Sequence, residues 1–247
     1  MEEGRFDFGN LKLYPKAFET SSALSVREAD RLRTASPLDE ILVRLTPEAL
    51  LSTARRILFH GEGAGGIASY AAGWMAGRGM EVVVLDGANR FDPYLASSPA
   101  RKASISPEEL LRRIRIARAF TCYQMATLVG ERLSAFLSEE GDDGEGKRPW
   151  VILLGPIATF LDEDVPEREA GHLFERTLRK VDGMAAEGIP FFLFQPPLPP
   201  GSRRLSLMRR LFQSSDLIWR IALEDEGPRM ILEKKRGEER GRLSRSF

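Results

Sequence analysis

Five short apolar runs punctuate the chain: Arg55 to His60, Glu81 to Asp86, Arg113 to Arg118, Trp150 to Leu154 and Pro190 to Gln195. Each is rich in β-branched or aromatic residues, which suit a pleated, buried surface. Between them the apolar positions recur at helical spacing. Thr121 to Leu137 places Cys122, Ala126, Val129, Leu133 and Phe136 on one stripe. Glu167 to Glu187 does the same with Ala170, Phe174, Leu178, Val181 and Ala185. A further helix is expected over Ile67 to Arg78, after a glycine cluster. Another should start at Ser106, where Ser-Pro-Glu-Glu supplies an N-cap hydroxyl, a first-turn proline and Glu109 to close a capping box. Strands alternating with helices predict an α/β fold with a mostly parallel central sheet flanked by helices. LIWRIAL and RMILEKK, separated by Glu-Asp-Glu-Gly-Pro, predict a C-terminal antiparallel hairpin at the sheet edge. Two breaker clusters, Ser138 to Pro149 and Pro196 to Ser202, read as loops.

Composition narrows the picture. The 247 residues allow one large domain, with or without a small appendage, and a core that needs no disulfide or metal staple. The 36 basic and 36 acidic residues cancel, so affinity for a nucleic acid cannot come from net charge and must come from local patches. Cys122 is the single cysteine and there are two histidines, too few for a zinc site of the usual composition, and no metal is expected. No apolar run approaches the roughly 20 residues that span a bilayer, and the acidic start MEEGRFDFGN is unlike a signal peptide. These features predict a cytoplasmic protein without a membrane partner.

LFHGEGAGGIAS, a strand leading through glycines into a helix, stands where a mononucleotide-binding fold places its phosphate loop. Such a loop aims backbone amides into one hollow, a lysine reaches the phosphates, and a hydroxyl holds magnesium. Gly61, Gly63, Gly65 and Gly66 keep the glycines, and Gly61 to Gly66 keeps the spacing. Ile67 and Ala68 stand where the lysine and the hydroxyl belong, Ser69 comes one residue late, and no lysine occurs between Lys16 and Lys102. The glycines either retain a weak site for ATP or another anion at the helix start, or serve only a tight turn and close packing.

Taken in order, these motifs resemble the RecA and RadA recombinase family over about residues 17 to 236. SPLDEIL (Ser36 to Leu42) is similar to the family's lead-in to the first core strand, and VLDGANRFDPYLA (Val84 to Ala96) to its second strand and Asp-Pro signature. ARAFTCYQMATLV (Ala117 to Val129) is similar to its Ala-Arg-Ala-Phe strand-to-helix segment, and FFLFQ (Phe191 to Gln195) to the strand before its second DNA-binding loop. The resemblance implies a RecA-like P-loop core over residues 38–236, an N-terminal extension over 1–37 and a basic tail over 237–247. It also implies a water-activating glutamate at position 88 and a metal-supporting aspartate at 155, which here are Ala88 and Gly155. With Ile67 and Ala68, four catalytic roles are vacant, and hydrolysis without them is not expected. Gln195 occupies the place of the family's γ-phosphate sensor, or bonds to the backbone at a strand end.

The resemblance further implies DNA-binding loops after the fourth and fifth strands. The first, Pro156 to Arg168, is acidic, and Asp162, Glu163 and Asp164 in it read as helix-start residues rather than metal ligands. The second carries Arg203, Arg204, Arg209 and Arg210 on an expected helix over Ser202 to Phe212, with Leu205, Met208, Leu211 and Phe212 inward. Lys234, Lys235 and Arg236 add a second basic patch. Both patches are candidate contacts to single- or double-stranded DNA, or solvated charged faces. In KAFETSSAL, Phe18 resembles the aromatic anchor of the family's subunit tether, with Ser21 in place of its alanine, and alternatively packs on its own domain. The expected function is a non-hydrolysing DNA-binding or scaffolding subunit in recombination or repair, partnered by DNA or by a recombinase or repair protein. The alternatives are a nucleotide-sensing regulator and a protein-protein adaptor or inhibitor without DNA contact.

Overall fold

The computed structural model describes residue 42 and residues 55–100, 104–140, 148–224 and 227–235. Seven strands form one sheet: β1 (Arg56–Gly61), β2 (Val82–Asp86), β3 (Ile114–Arg118), β4 (Trp150–Leu154), β5 (Phe191–Gln195), β6 (Leu217–Glu224) and β7 (Gly227–Lys235). Their order is β3-β2-β4-β5-β1-β6-β7. All neighbours run parallel except β6 and β7, which pair antiparallel as the expected C-terminal hairpin. The sequence thus resolves into the α/β architecture that its alternation of strand and helix periods predicts.

Every residue of β2, β4 and β5 is buried, as strands covered on both faces must be. On one face lie α1 (Ala64–Ala76), α2 (Pro93–Ser97) and α3 (Pro107–Arg112), closing a core that includes Phe59, Phe192, Phe194 and Trp150. The rings of Phe59 and Phe194 stack at 4.8 Å and those of Trp150 and Phe192 at 5.0 Å. All thirteen residues of α1 are buried. Its small side chains allow this: a Cβ on Gly73 would stand 1.7 Å from the Ala96 carbonyl oxygen, so the backbones of α1 and α2 meet there.

On the opposite face, α4 (Cys122–Thr127) runs through one π-helical turn, Leu128–Arg132, into α5 (Leu133–Glu140). Beside it pack α6 (Glu167–Ala186) and α7 (Leu205–Ser214). The two apolar stripes legible in the sequence, Cys122 to Phe136 and Ala170 to Ala185, are buried here in full. At α3, Ser106 Oγ accepts the Glu109 amide at 3.1 Å, the first half of the capping box.

The helix after the glycines begins at Ala64 rather than Ile67, so Gly65 and Gly66 belong to its first turn and not to the loop. In α7 the inward residues are Leu207 and Leu211, with Met208 and Phe212 partly buried, whereas Leu205 is 65% exposed. The amino end of the sheet is closed by an ion cluster. Asp216, between α7 and β6, accepts hydrogen bonds from the amides of Arg55 and Arg56 and from the Arg56 guanidinium, which also reaches Asp182 of α6. Burial alone would raise the Asp216 carboxyl, but its hydrogen bonds with Arg56 and the Arg55 amide hold it below the usual carboxylate range.

Among the described residues no helix is long and apolar enough to cross a membrane. The N-terminal extension, Phe18, Arg236 and the basic tail lie outside the described residues, as does the side chain of Lys235.

Candidate functional site

The helices following β1 and β5 lie on opposite faces of the sheet, and the same is true of β2 and β4. In open α/β sheets, crevices form outside the carboxyl ends of such neighbouring strands. At the first, His60 pairs with Gln195 in register, placing the Gly61 turn beside the end of β5. At the second, Asp86 is level with Leu154, which places Ala88 and Gly155 just beyond the strands. The fold therefore brings together the glycine cluster, Gln195 and both vacated carboxylate positions at one end of the sheet.

Gly61 has φ 120°, and a Cβ there would lie 2.2 Å from the Ile221 carbonyl oxygen of β6, a position only glycine fills. Gly63 caps α1 in the left-handed region, and no side chain caps that helix. Leu223 lies 3.0 Å from a Cβ built on Gly63, and Arg90 lines Gly65 at 3.3 Å. Ile67, in the place of the lysine, points into the core and is 2% exposed. Ser69, the one nearby hydroxyl, donates to the Gly65 carbonyl at 3.2 Å and accepts the Asp92 amide at 2.9 Å. It is a bracket between α1 and the loop after β2, not a metal ligand.

At the second crevice, a Cβ on Gly155 would stand 2.5 Å from the Ala88 Cβ and 2.9 Å from its amide nitrogen, and Gly155 itself has φ 65°. The two positions that the resemblance assigns to catalytic carboxylates touch each other. The amides of Gly87 and Ala88 donate to the Leu154 carbonyl, zipping the loop onto the end of β4. Asp86 is fully buried and accepts the amides of Ala88, Arg90 and Phe91, with Arg118 Nε at 3.7 Å. Its carboxylate shapes the loop and has no face left for a metal's inner shell.

Gln195 is 2% exposed. Its Oε1 accepts the Ile157 amide at 3.1 Å and its Nε2 donates to the Pro196 carbonyl at 2.7 Å, so both ends of the amide are engaged by backbone. The residues present do not fit a magnesium-bound triphosphate. At the positions that the resemblance assigns, the lysine, the hydroxyl and both carboxylates are replaced, Asp86 is taken up by backbone amides, and a side chain at 155 would meet Ala88.

The expected DNA contacts separate. Arg204 is buried, and its guanidinium donates to the carbonyls of Phe160 and Val165 in the segment after β4. Arg204, expected as a DNA contact, is thus engaged inside the protein: its long stem and forked head satisfy two buried carbonyls and staple one expected DNA loop to the other. Arg210 donates to the Gly171 carbonyl and to Glu175, both on α6. Lys234 donates to the carbonyls of Phe212 and Ser215, capping the end of α7, so its ammonium is likewise engaged by protein. Arg203 and Arg209 are exposed and make no ion pair among the described residues. Asp162 Oδ1 accepts the Asp164 amide in a turn, and the described residues contain no group of three metal-ligating side chains.

Surface aromatics escape a reading based on periodicity. Phe120 is 67% and Tyr123 48% exposed, flanking Thr121, whose hydroxyl caps α4. Tyr123 donates to Glu169 of α6 at 2.6 Å, and that bond to the carboxylate pushes the phenol up to about 12. No family model and no curated protein matches the chain.

Proposed function

We propose that this chain is a RecA-like pseudo-ATPase, a non-hydrolysing binding or scaffolding subunit that serves DNA recombination or repair. One observation carries the proposal: Gly155 packs so closely on Ala88 that even a Cβ at 155 would stand 2.5 Å from the Ala88 Cβ, so the position of the metal-supporting aspartate has no room for a side chain, and the residue at the glutamate position is an alanine. A phosphate-transfer site works by positioning and charge neutralisation, and here neither has residues to perform it. The RecA-like reading draws further support from the parallel sheet with a glycine turn after β1, and from Asp86, Arg118 and Gln195 standing at the ends of β2, β3 and β5. In this reading the old catalytic groups have become packing and bracing elements, and the surface carries the function.

Phosphate release from ATP and magnesium, with and without single-stranded DNA, tests the proposal. Release at the buffer rate is expected in both conditions. Magnesium-dependent turnover by the wild-type protein would overturn it.

A further inference from the structure

The outward face of α6 carries Arg168, His172, Arg176 and Arg179, all exposed. Their spacing of four, four and three keeps them within one stripe that runs about 16 Å along the helix. An open depression follows this stripe, bordered by Pro166 and Leu173 as well as by the four basic positions. Two carboxylates share the face, and each is already engaged: Glu169 accepts the Tyr123 hydroxyl and Glu175 accepts Arg210. Glu167 stands roughly 100° around the helix from Arg168. Arg168, Arg176 and Arg179 make no ion pair among the described residues. Glu175 is balanced by Arg210, whereas Glu169, bonded to a neutral hydroxyl, keeps its charge, so the stripe is a row of three guanidinium groups in excess over the acids that share its face.

At one end of the stripe stands the exposed ring of Tyr123, and the ring of Phe120, three residues earlier in the chain, is exposed as well. The Tyr123 hydroxyl bond to Glu169 fixes its ring beside the first turn of α6. Unpaired nucleic acid is recognised by this combination, a cationic track for the phosphates and aromatic faces on which bases stack. A duplex keeps its bases stacked inside and leaves such rings idle.

We propose that α6 is a track for single-stranded nucleic acid, with Arg168, Arg176 and Arg179 on the phosphates and Phe120 and Tyr123 stacking bases at the α4 end. The proposal rests on the DNA-binding half of the functional reading and moves its contact surface from the loop around Arg204 to α6. An acidic peptide would engage the arginines and use the rings only where it carries an apolar side chain at the right place, whereas every base of a single strand has a face to stack, which is why the single strand is favoured.

The test uses the full chain and labelled oligo-dT and oligo-U of equal length, titrated at several salt concentrations. Wild type should bind oligo-dT at low salt. R168A/R176A/R179A should bind at least tenfold more weakly, with the salt slope reduced by about 2, from roughly 0.7 per lost phosphate contact on a single strand. F120A/Y123A should bind severalfold more weakly with the slope unchanged, whereas Y123F keeps the ring and stays near wild type. A blunt duplex should compete poorly. All the substituted side chains are exposed, and unchanged thermal melts establish that the variants fold. Binding by R168A/R176A/R179A within twofold of wild type overturns the track. If R203A/R209A instead abolishes binding, the track fails while DNA binding stands. Binding to oligo-U alone keeps the track and overturns the DNA reading. No binding to either oligonucleotide at low salt overturns both.

Discussion

Gly155 has a positive φ of 65° and would bring any Cβ to 2.5 Å from Ala88, two obstacles to the aspartate that the resemblance places there. Gly155→Asp should therefore lose about 2 kcal/mol of stability in urea melts without gaining ATP turnover. A stable Gly155→Asp protein that hydrolyses ATP would show that the site is only one substitution from activity. At the other end of the sheet, Asp216 contributes stability of a definite pH sign. Its carboxyl is held below its ordinary value of 3.8, so the contribution is fully present above that pH. It is lost as pH falls through the lower, folded value. Asp216→Asn should cost about 3 kcal/mol at neutral pH, because Arg56 loses its buried partner. That gap to wild type should narrow in acid, measured by denaturant melts across pH. The departures from the pattern that the resemblance implies were plain in the sequence, since Ile67, Ala68, Ala88 and Gly155 can be read directly. What they do instead was not, because the contact of Ala88 with Gly155 joins strands far apart in the chain.

Elements were legible where periodicity is strong and the partner surface is a sheet. The stripes of α4 to α6 follow from apolar positions at helical spacing, the five strand runs from unbroken stretches of β-branched and aromatic residues, and Ser106 from its capping pattern. Their ends were less so: α1 begins three residues early because glycines that look like loop residues also fit a fully buried helix. The π-helical turn at Leu128–Arg132 leaves the apolar stripe intact and so gives no sequence signal. Arg204 illustrates the harder case. In sequence it is one of four arginines in a basic run, and only the approach of the segment after β4 supplies the carbonyls that bury it. Arg204→Ala should cost about 2 kcal/mol, since two buried carbonyls lose their donors. Its affinity for single-stranded DNA should stay within twofold of wild type. Urea melts and oligo-dT titration check the two halves; a large affinity loss with unchanged stability would return Arg204 to the DNA surface.

For the whole molecule, the balanced total of 36 basic and 36 acidic residues hides a distribution that matters more than the sum. Acids engage cations and amides in the interior and along the edges, as Asp216, Asp86, Glu175 and Glu233 do, the last accepting both His60 and Arg220. The arginines of the α6 stripe keep their charge for solvent or for a ligand. The glycine turn, Gln195 and the contact of Ala88 with Gly155 gather at the carboxyl end of the sheet, and under the proposed function that end is the remnant of a phosphate site turned to binding alone. The most direct measurement is phosphate release by the purified full chain with ATP, magnesium and saturating single-stranded DNA over several hours. Release indistinguishable from buffer is the expected result. Turnover that depends on magnesium and disappears when Gly61 to Gly66 is altered would contradict the pseudo-ATPase reading.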